Sequence, residues 1–392
     1  MTTDFLIVGA GFAGLVAAER LTNAGFRCVV VDQRDHIGGN AHDCYDDTGV
    51  LIHRYGPHYF RTNSPRIVDY LSNFTDWHHV EYVIKSKSQG RYWSFPINLN
   101  TFEEWLGRSS TSEEMEDWLQ KNREVYPEPK NSEEAVLAQV GEEFYQKFFK
   151  NYTLKQWKRH PRDLDASVCG RIPVRTTRDD RYLTESFQAL PKNGYTAMFE
   201  RMISKSPGVK LHLGVDFEEA RATWTYHHLI FTGPIDEYYG YRFGPLPYRS
   251  LRFEMESFTP EELKGSEFAT GKSVFWQPVM QVNYPDADVP FTRIVEIKHA
   301  TGQKIEATTI VRELPHDWKP GEEPFYPIPA DDTKELYQRY AELGDKEENV
   351  SFIGRLGTYR YYNMDQVTGM ALSEAHKLIK KYEGLRSLSP QK

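Results

Sequence analysis

The chain has 392 residues, with 48 Lys and Arg against 56 Asp and Glu for a formal charge of −8. Its length predicts two or three domains, and its acidic balance argues against a nucleic-acid binder, which needs a basic surface. Three cysteines, Cys28, Cys44 and Cys169, without a CxxC pair exclude a disulfide framework and a cysteine-rich zinc site.

The N-terminal residues MTTDFLIVGAG lack a basic region, and no apolar run reaches about 18 residues. The expectation is a cytoplasmic protein with neither secretory signal nor membrane span. Phe5-Leu6-Ile7-Val8 predicts a buried parallel strand. It leads into Gly9-Ala10-Gly11-Phe12-Ala13-Gly14, then a helix-like LVAAERLTNAG, then a second strand Cys28-Val29-Val30-Val31 ending in Asp32. In this strand–helix–strand setting a GxGxxG motif predicts a dinucleotide site. Gly9 makes the tight turn, Gly11 lets the backbone approach a pyrophosphate, and Gly14 lets helix and strand pack closely. The helix N-terminus offers N–H groups to the phosphates, and Asp32 is placed to accept from a ribose.

From about Thr101 to Asp165 the spacing predicts helices, with Val136, Val140, Phe144 and Phe148 on one apolar face. Further on, Leu251, Phe253 and Met255 alternate with charged residues, as in a half-buried antiparallel strand. Val350–Gly354 reads as another buried strand, followed by a turn and a helix from about Asp365, with a frayed tail from Glu383. The fold class expected is α/β: a nucleotide-binding unit made by both chain ends, with a helical insertion and a β-rich insertion.

Three segments suggest chemistry. The first is His36-Ile37-Gly38-Gly39-Asn40, whose diglycine after Asp32 is similar to the FAD-binding pattern of amine-oxidase-like flavoproteins. The expected cofactor is therefore FAD rather than NAD. The second runs from Lys155 to Tyr182 and holds eight positive residues against four acids, +4 inside an acidic chain. Interleaved with Trp157 and Tyr182, it reads either as a solvated basic loop or as a site for a nucleotide diphosphate, with Arg gripping phosphate and a ring stacking on an aromatic. The third is Thr292–Ile297, where strand alternation turns Arg293 the same way as Val295 and Ile297. An arginine on an apolar face is costly unless paired, so it meets either a buried carboxylate or a ligand anion. His78-His79, His227-His228 and the pair His53 and His58 have poor metal-ligand spacing, so no metal is expected. With no evident side-chain nucleophile, the chemistry is expected to belong to the cofactor.

Taken in order, VGAGFAG, HIGGNA, HRYGPHYF, FFKNYTLKQW, RIPVR, DDRYL, FTGPIDEYYGYRFG, DVPFTRI, EPFYPI and FIGRLGTYRYYNMD resemble the bacterial UDP-galactopyranose mutase family, from about Asp4 to His376. The resemblance implies a Rossmann-like FAD-binding domain with a helical-bundle insertion and a twisted antiparallel sheet domain. Their expected extents are 1–77, 195–240 and 344–385; 98–167; and 78–97, 168–194 and 241–343 respectively. It implies an isomerase that interconverts UDP-galactopyranose and UDP-galactofuranose without net redox. The enzyme would be active only with FAD reduced, through a covalent bond between flavin N5 and sugar C1. A UDP-sugar and a second copy of the chain are the implied partners.

Residue by residue, the resemblance implies that Arg171 and Arg293 neutralise the departing diphosphate with hydroxyls from Tyr182, Tyr326 and Tyr361. Arg171 would lie on a mobile loop between Gly170 and Pro173. Phe148, Tyr152, Thr153, Trp157 and Asn283 match positions for the uridine or the sugar pocket. Ala13, Asp32, Asn40, His58, Tyr59, Phe217, Arg355, Asn363 and Met364 match FAD positions, with Gly9, Gly11, Gly14, Gly38 and Gly39, and His58 belongs with Arg171, Arg293 and Tyr361 at the reacting centre. There are departures from the pattern. Arg61 replaces a His usual near flavin and sugar, Glu81 or a neighbour falls where a smaller polar residue or His contacts ligand, Leu314 replaces a Tyr, and Asn363 replaces an Asp. Arg61 as a longer donor predicts acceptance of UDP-N-acetylgalactosamine through its acetamido oxygen; a neutral His-to-Arg drift is the other reading. The competing function is an amine-oxidase-like redox flavoenzyme.

Overall fold

Five strands lie parallel in the order Val209–Leu213, Cys28–Asp32, Phe5–Val8, His228–Phe231, Val350–Phe352. The computed structural model describes residues 1–268 and 272–384; of the tail expected from Glu383, residues 385–392 lie outside the described residues. The apolar runs suit this sheet because both its faces are covered. Leu6, Val29, Val31, Leu229 and Phe231 pack with Ala220 and Trp224 on one face, while Phe5, Ile7, Val30 and Ile230 join a larger core on the other. There the helix Phe12–Asn23, which follows the glycine turn, packs against the long helix Met364–Lys381. The first and last long helices of the chain thus meet on one face of the sheet.

A second sheet has seven strands in the order Tyr326–Pro327, Tyr248–Phe258, Thr308–Asp317, Arg293–Val295, Gln281–Asn283, Ile84–Ser88, Arg91–Phe95. All neighbours are antiparallel except Gln281–Asn283 with Ile84–Ser88. Its register sets Arg293 between Asn283 and Glu313 on adjacent strands. The alternation expected for Leu251, Phe253 and Met255 holds only at first. Leu251 is buried, but Met255 is 40% exposed because the outer half of the strand pair Tyr248–Phe258 and Thr308–Asp317 runs past the core. Ile297 also departs: the strand of Arg293 stops at Val295, and Ile297 opens the helical turn Lys298–Thr301. A small sheet of Phe60–Thr62, Phe187–Pro191 and Trp77–His79 bridges the two larger ones.

Against the second sheet pack the helices Leu99–Leu106, Ser112–Asn122, Ser132–Phe144 and Asn151–Trp157, the first resting on Arg91–Phe95 and the last on Thr308–Asp317. The four-residue spacing predicts one continuous face from Val136 to Phe148, and all four apolar residues are buried, but the helix is not continuous. Gly141 takes φ 76°, and a Cβ there would lie 2.3 Å from the Asn122 carbonyl. Tyr145–Lys150 then winds as a π-helix, a wider turn common at functional sites. That turn brings Phe148 and Phe149 to the mouth of a cavity.

Candidate functional site

Two joined cavities lie between the sheets. The first, about 650 Å³, begins at the glycine turn. Gly9 has φ 106°, and a Cβ on it would meet Thr232 Oγ1 at 1.9 Å; one on Gly14 would meet the Gly9 carbonyl at 1.9 Å. Only glycine lets the turn close this tightly, and no side-chain cap serves the first turn of the helix behind it. Gly11, Ala13, Gly38, Gly39 and Asn40 line the cavity, with Phe217 and Phe231–Pro234 opposite. Asp32 sits at the strand end, its carboxylate accepting from the backbone N–H groups of Ala10 (2.8 Å) and Arg34 (2.9 Å). Bare backbone at a helix N-terminus plus an acid at the next strand end fits a dinucleotide, pyrophosphate first and ribose second. Gly14 itself does not line the cavity; it works by packing.

The second cavity, about 480 Å³, is walled by side chains. It shares Asn40, His58, Arg355 and Met364 with the first, so the two meet at these residues. Tyr59 and Asn363, matched to the cofactor from sequence, line this second cavity instead. Phe148, Tyr152, Thr153 and Trp157 form one wall from the helix after the π-turn, and Asn283, Arg293 and Tyr326 form another from the sheet. Arg171, Tyr182 and Tyr361 complete it, with Arg61 beside Glu185.

The cations are held in different ways. Arg293 donates through Nε to Glu313 Oε2 at 2.7 Å, and Glu313 is fully buried. Both readings of Arg293 therefore hold: it pairs with a buried carboxylate and lines the cavity. Glu313 Oε1 has no hydrogen-bond partner among the described residues, so Arg293 alone compensates that carboxylate. Arg171, exposed at the mouth, lies with its guanidinium carbon 4.9 Å from the centre of the Tyr361 ring. Arg355 stacks on the same ring (5.1 Å) and on Tyr326 (5.5 Å), and donates to the Tyr362 carbonyl at 2.7 Å. Arg61 donates to Asn363 Oδ1 at 3.2 Å and lies 3.4 Å from Glu185.

Two titrations follow from this packing. Burial raises the Tyr361 phenol, but Arg171 and then Arg355 outweigh it and bring it down to about 8. His58 moves the other way: burial, with His53 adding, lowers it to about 3, so it is neutral in ordinary buffers. Its Nδ1 meets the Gly56 carbonyl at 2.9 Å, which fixes the proton there and leaves Nε2 as an acceptor.

The basic segment is not a patch. Of its eight positive residues only Arg171 lines the cavity. Arg159 pairs with Asp332, Arg162 with Glu133, Arg178 with Glu103, and Arg175 and Arg181 with Asp179. Glu81 is also elsewhere, exposed and 3.7 Å from Arg181, while its neighbour Tyr82 lines the cavity. Leu314 falls on the opposite strand face from Glu313 and does not reach it. Glu185, Gln156, Tyr82 and Glu313 were missed from the sequence. Only Glu313 carried a signal, the need of Arg293 for a partner. Arg34 was missed at the other cavity, where it stacks over Tyr55 at 4.2 Å and donates to Glu323 and Asn40. Among the described residues no group of three or more His, Cys, Asp or Glu is placed to hold a metal, and no helix is long and apolar enough to cross a membrane.

Sheet, glycine turn and joined cavities define an α/β protein with a Rossmann-like dinucleotide domain. The profile of the UDP-galactopyranose mutase family matches residues 147–361, and that of NAD(P)-binding Rossmann-like domains matches residues 7–74. A probable UDP-galactopyranose mutase of Klebsiella pneumoniae is 35% identical over 96% of this chain and 94% of its own. A dTDP-fucopyranose mutase of Escherichia coli is 32% identical, covering 96% and 98%. A solved structure of a reduced UDP-galactopyranose mutase superimposes with a TM-score of 0.72 at 17% identity, over 96% of each chain. The chain belongs to the UDP-galactopyranose mutase family and is an isomerase of that family.

Proposed function

We propose that the protein interconverts UDP-galactopyranose and UDP-galactofuranose without net redox, in a three-domain chain divided at the boundaries expected from sequence. The observation that carries this reading is the ring of Arg61, Arg171, Arg293 and Arg355 among tyrosines, opening onto the dinucleotide cavity at His58. Four cations lining one small cavity suit a diphosphate that is released and must be held for return.

Gly9, Gly11, Asp32, Gly38, Gly39 and Asn40 would hold FAD, with Arg355 and Met364 at its inner end. Reduced FAD held there would supply an electron-rich N5 as nucleophile toward the sugar C1. Arg293, fixed by Glu313, holds the diphosphate from the sheet side. Arg171 holds it from the mouth, on a segment that moves to admit substrate. Tyr182, Tyr326 and Tyr361 donate to its oxygens, and Trp157 with Tyr152 receives the base. His58, neutral with its proton on Nδ1, presents an acceptor at the junction of the cavities. A homodimer and a cytoplasmic location belong to the same proposal.

Arg61 bears on the sugar. Its guanidinium lines the cavity with spare N–H donors, which suit a 2-acetamido oxygen, so UDP-N-acetylgalactosamine is accepted alongside UDP-galactose. A dTDP-6-deoxysugar is the second reading, favoured by the similarity to the dTDP-fucopyranose mutase. The test is a substrate panel: dithionite-reduced protein with UDP-galactose, UDP-N-acetylgalactosamine or dTDP-fucose, products separated by chromatography. Five-membered-ring products from the two UDP-sugars are expected, and Arg61→His should cut the preference for the acetamido sugar by about tenfold. Turnover of dTDP-fucose alone would overturn the reading, and an unchanged preference in R61H would discard the role of Arg61.

A further inference from the structure

Lys155 lies in the helix Asn151–Trp157, but it does not line the cavity. Its Nζ donates to four backbone carbonyls of one loop: Tyr284, Asp286 (2.9 Å), Val289 (3.0 Å) and Phe291 (3.1 Å). That loop joins the strand Gln281–Asn283 to the strand Arg293–Val295. An ammonium has three donors and no acceptor, so with four carbonyls around it one N–H is shared between two of them and the cation is saturated. Four carbonyl oxygens converging on one point repel each other, and the one backbone donor that also reaches them is the Val289 N–H, 3.3 Å from the Asp286 carbonyl; without a cation between them the loop opens. The carboxylate of Asp286 does not supply the tie to the helix, since it accepts from Ser88 Oγ (2.6 Å) and from the Gln89 N–H (2.7 Å).

The residues flanking this junction all face the cavity. Tyr152, Thr153 and Trp157 stand on the helix that bears Lys155, and Asn283 and Arg293 stand at the two ends of the loop it gathers. We propose that Lys155 is a positioning residue that locks the helix wall to the sheet wall of the substrate cavity, setting the separation between the base-binding rings and the diphosphate-binding Arg293. This rests on the reading of the cavity as a UDP-sugar site. A shift of about an ångström between two such walls costs binding strongly while leaving the reacting centre at His58 and Tyr361 in place. The loss therefore falls on substrate affinity.

The test compares reduced holoenzymes, wild type and Lys155→Met, for KM and kcat with UDP-galactose and for the Kd of UDP. Lys155→Met should raise KM and the UDP Kd about tenfold with kcat within about threefold of wild type. In Lys155→Ala, added propylammonium should lower KM again, because a free cation can refill the carbonyl cage. Should Lys155→Met not fold, Lys155→Gln, which keeps two N–H donors, carries the same comparison. A wild type that neither binds UDP nor rearranges UDP-galactose overturns the cavity reading and this inference with it. A wild type that does both, beside a variant with unchanged KM or an alanine variant indifferent to propylammonium, overturns the inference alone.

Discussion

The two joined cavities are built from different materials. The dinucleotide cavity is shaped by backbone: a turn of glycines so tight that a single methyl at Gly9 or Gly14 would collide. The other is shaped by long side chains from the helix, the second sheet and the segment before the last helix; Arg293 and Arg355 are held by partners outside the cavity, Arg61 and Arg171 by partners that line it. A backbone cavity fails when the chain is crowded, and a side-chain cavity fails when a charge loses its counterpart. The contrast between Arg171 and Arg293 tests this most sharply. Arg293→Ala and Arg171→Ala should each lower turnover by about 10²–10³-fold. Only Arg293→Ala strands the buried Glu313 carboxylate, so it alone should lose about 3–5 kcal/mol of stability. Thermal unfolding beside product assays separates them; equal unfolding temperatures would break the distinction.

Crowding is probed on the other side. Gly14→Ala puts a methyl 1.9 Å from the Gly9 carbonyl and should cost about 1–3 kcal/mol together with most of the bound FAD. Gly11→Ala meets nothing nearer than Gly39 Cα at 3.5 Å, ordinary contact. It should keep the wild-type unfolding temperature of the apoprotein and weaken FAD by about tenfold, because only the ligand is pushed away. Flavin absorbance after dialysis reads both.

The smallest expected effect is a pH limb. Tyr361 is neutral below about 8 and anionic above, so its depressed value brings negative charge into the cavity earlier than a free phenol would. A phenolate competes with diphosphate for Arg171 and Arg355, and kcat/KM should fall as pH rises through about 8. Lys155, lowered by burial to about 8, loses its charge over the same range and acts in the same direction. Tyr361→Phe should remove part of the fall and Lys155→Met the rest. A profile unchanged in both would remove these two groups from the substrate's electrostatics.

The same difference in materials explains what could be read from the residues alone. Glycine spacing and a strand-end acid are local, so Gly9 to Asp32 could be placed without tertiary contacts. Arg171 and Arg293 were placed through resemblance, since neither the charge cluster around Arg171 nor the alternation around Arg293 says what faces them. Of the cluster only Arg171 reaches the cavity, because its other arginines pair with Asp179, Glu133, Glu103 and Asp332. Glu313, Glu185 and Lys155 act through partners 20 to 136 positions away, joined only by strand register and helix packing. The break at Gly141 was equally invisible, since buried residues keep their four-residue spacing across it.

The central claim is rearrangement without net redox, and counting turnovers per electron pair tests it most directly. Holoprotein reduced once with dithionite, freed of excess reductant and kept anaerobic, is given UDP-galactofuranose, and the UDP-galactopyranose formed is measured against flavin. Many product molecules per flavin are predicted, with the flavin still reduced at the end and no nicotinamide required. One product per flavin, with the flavin oxidised in step, would contradict it.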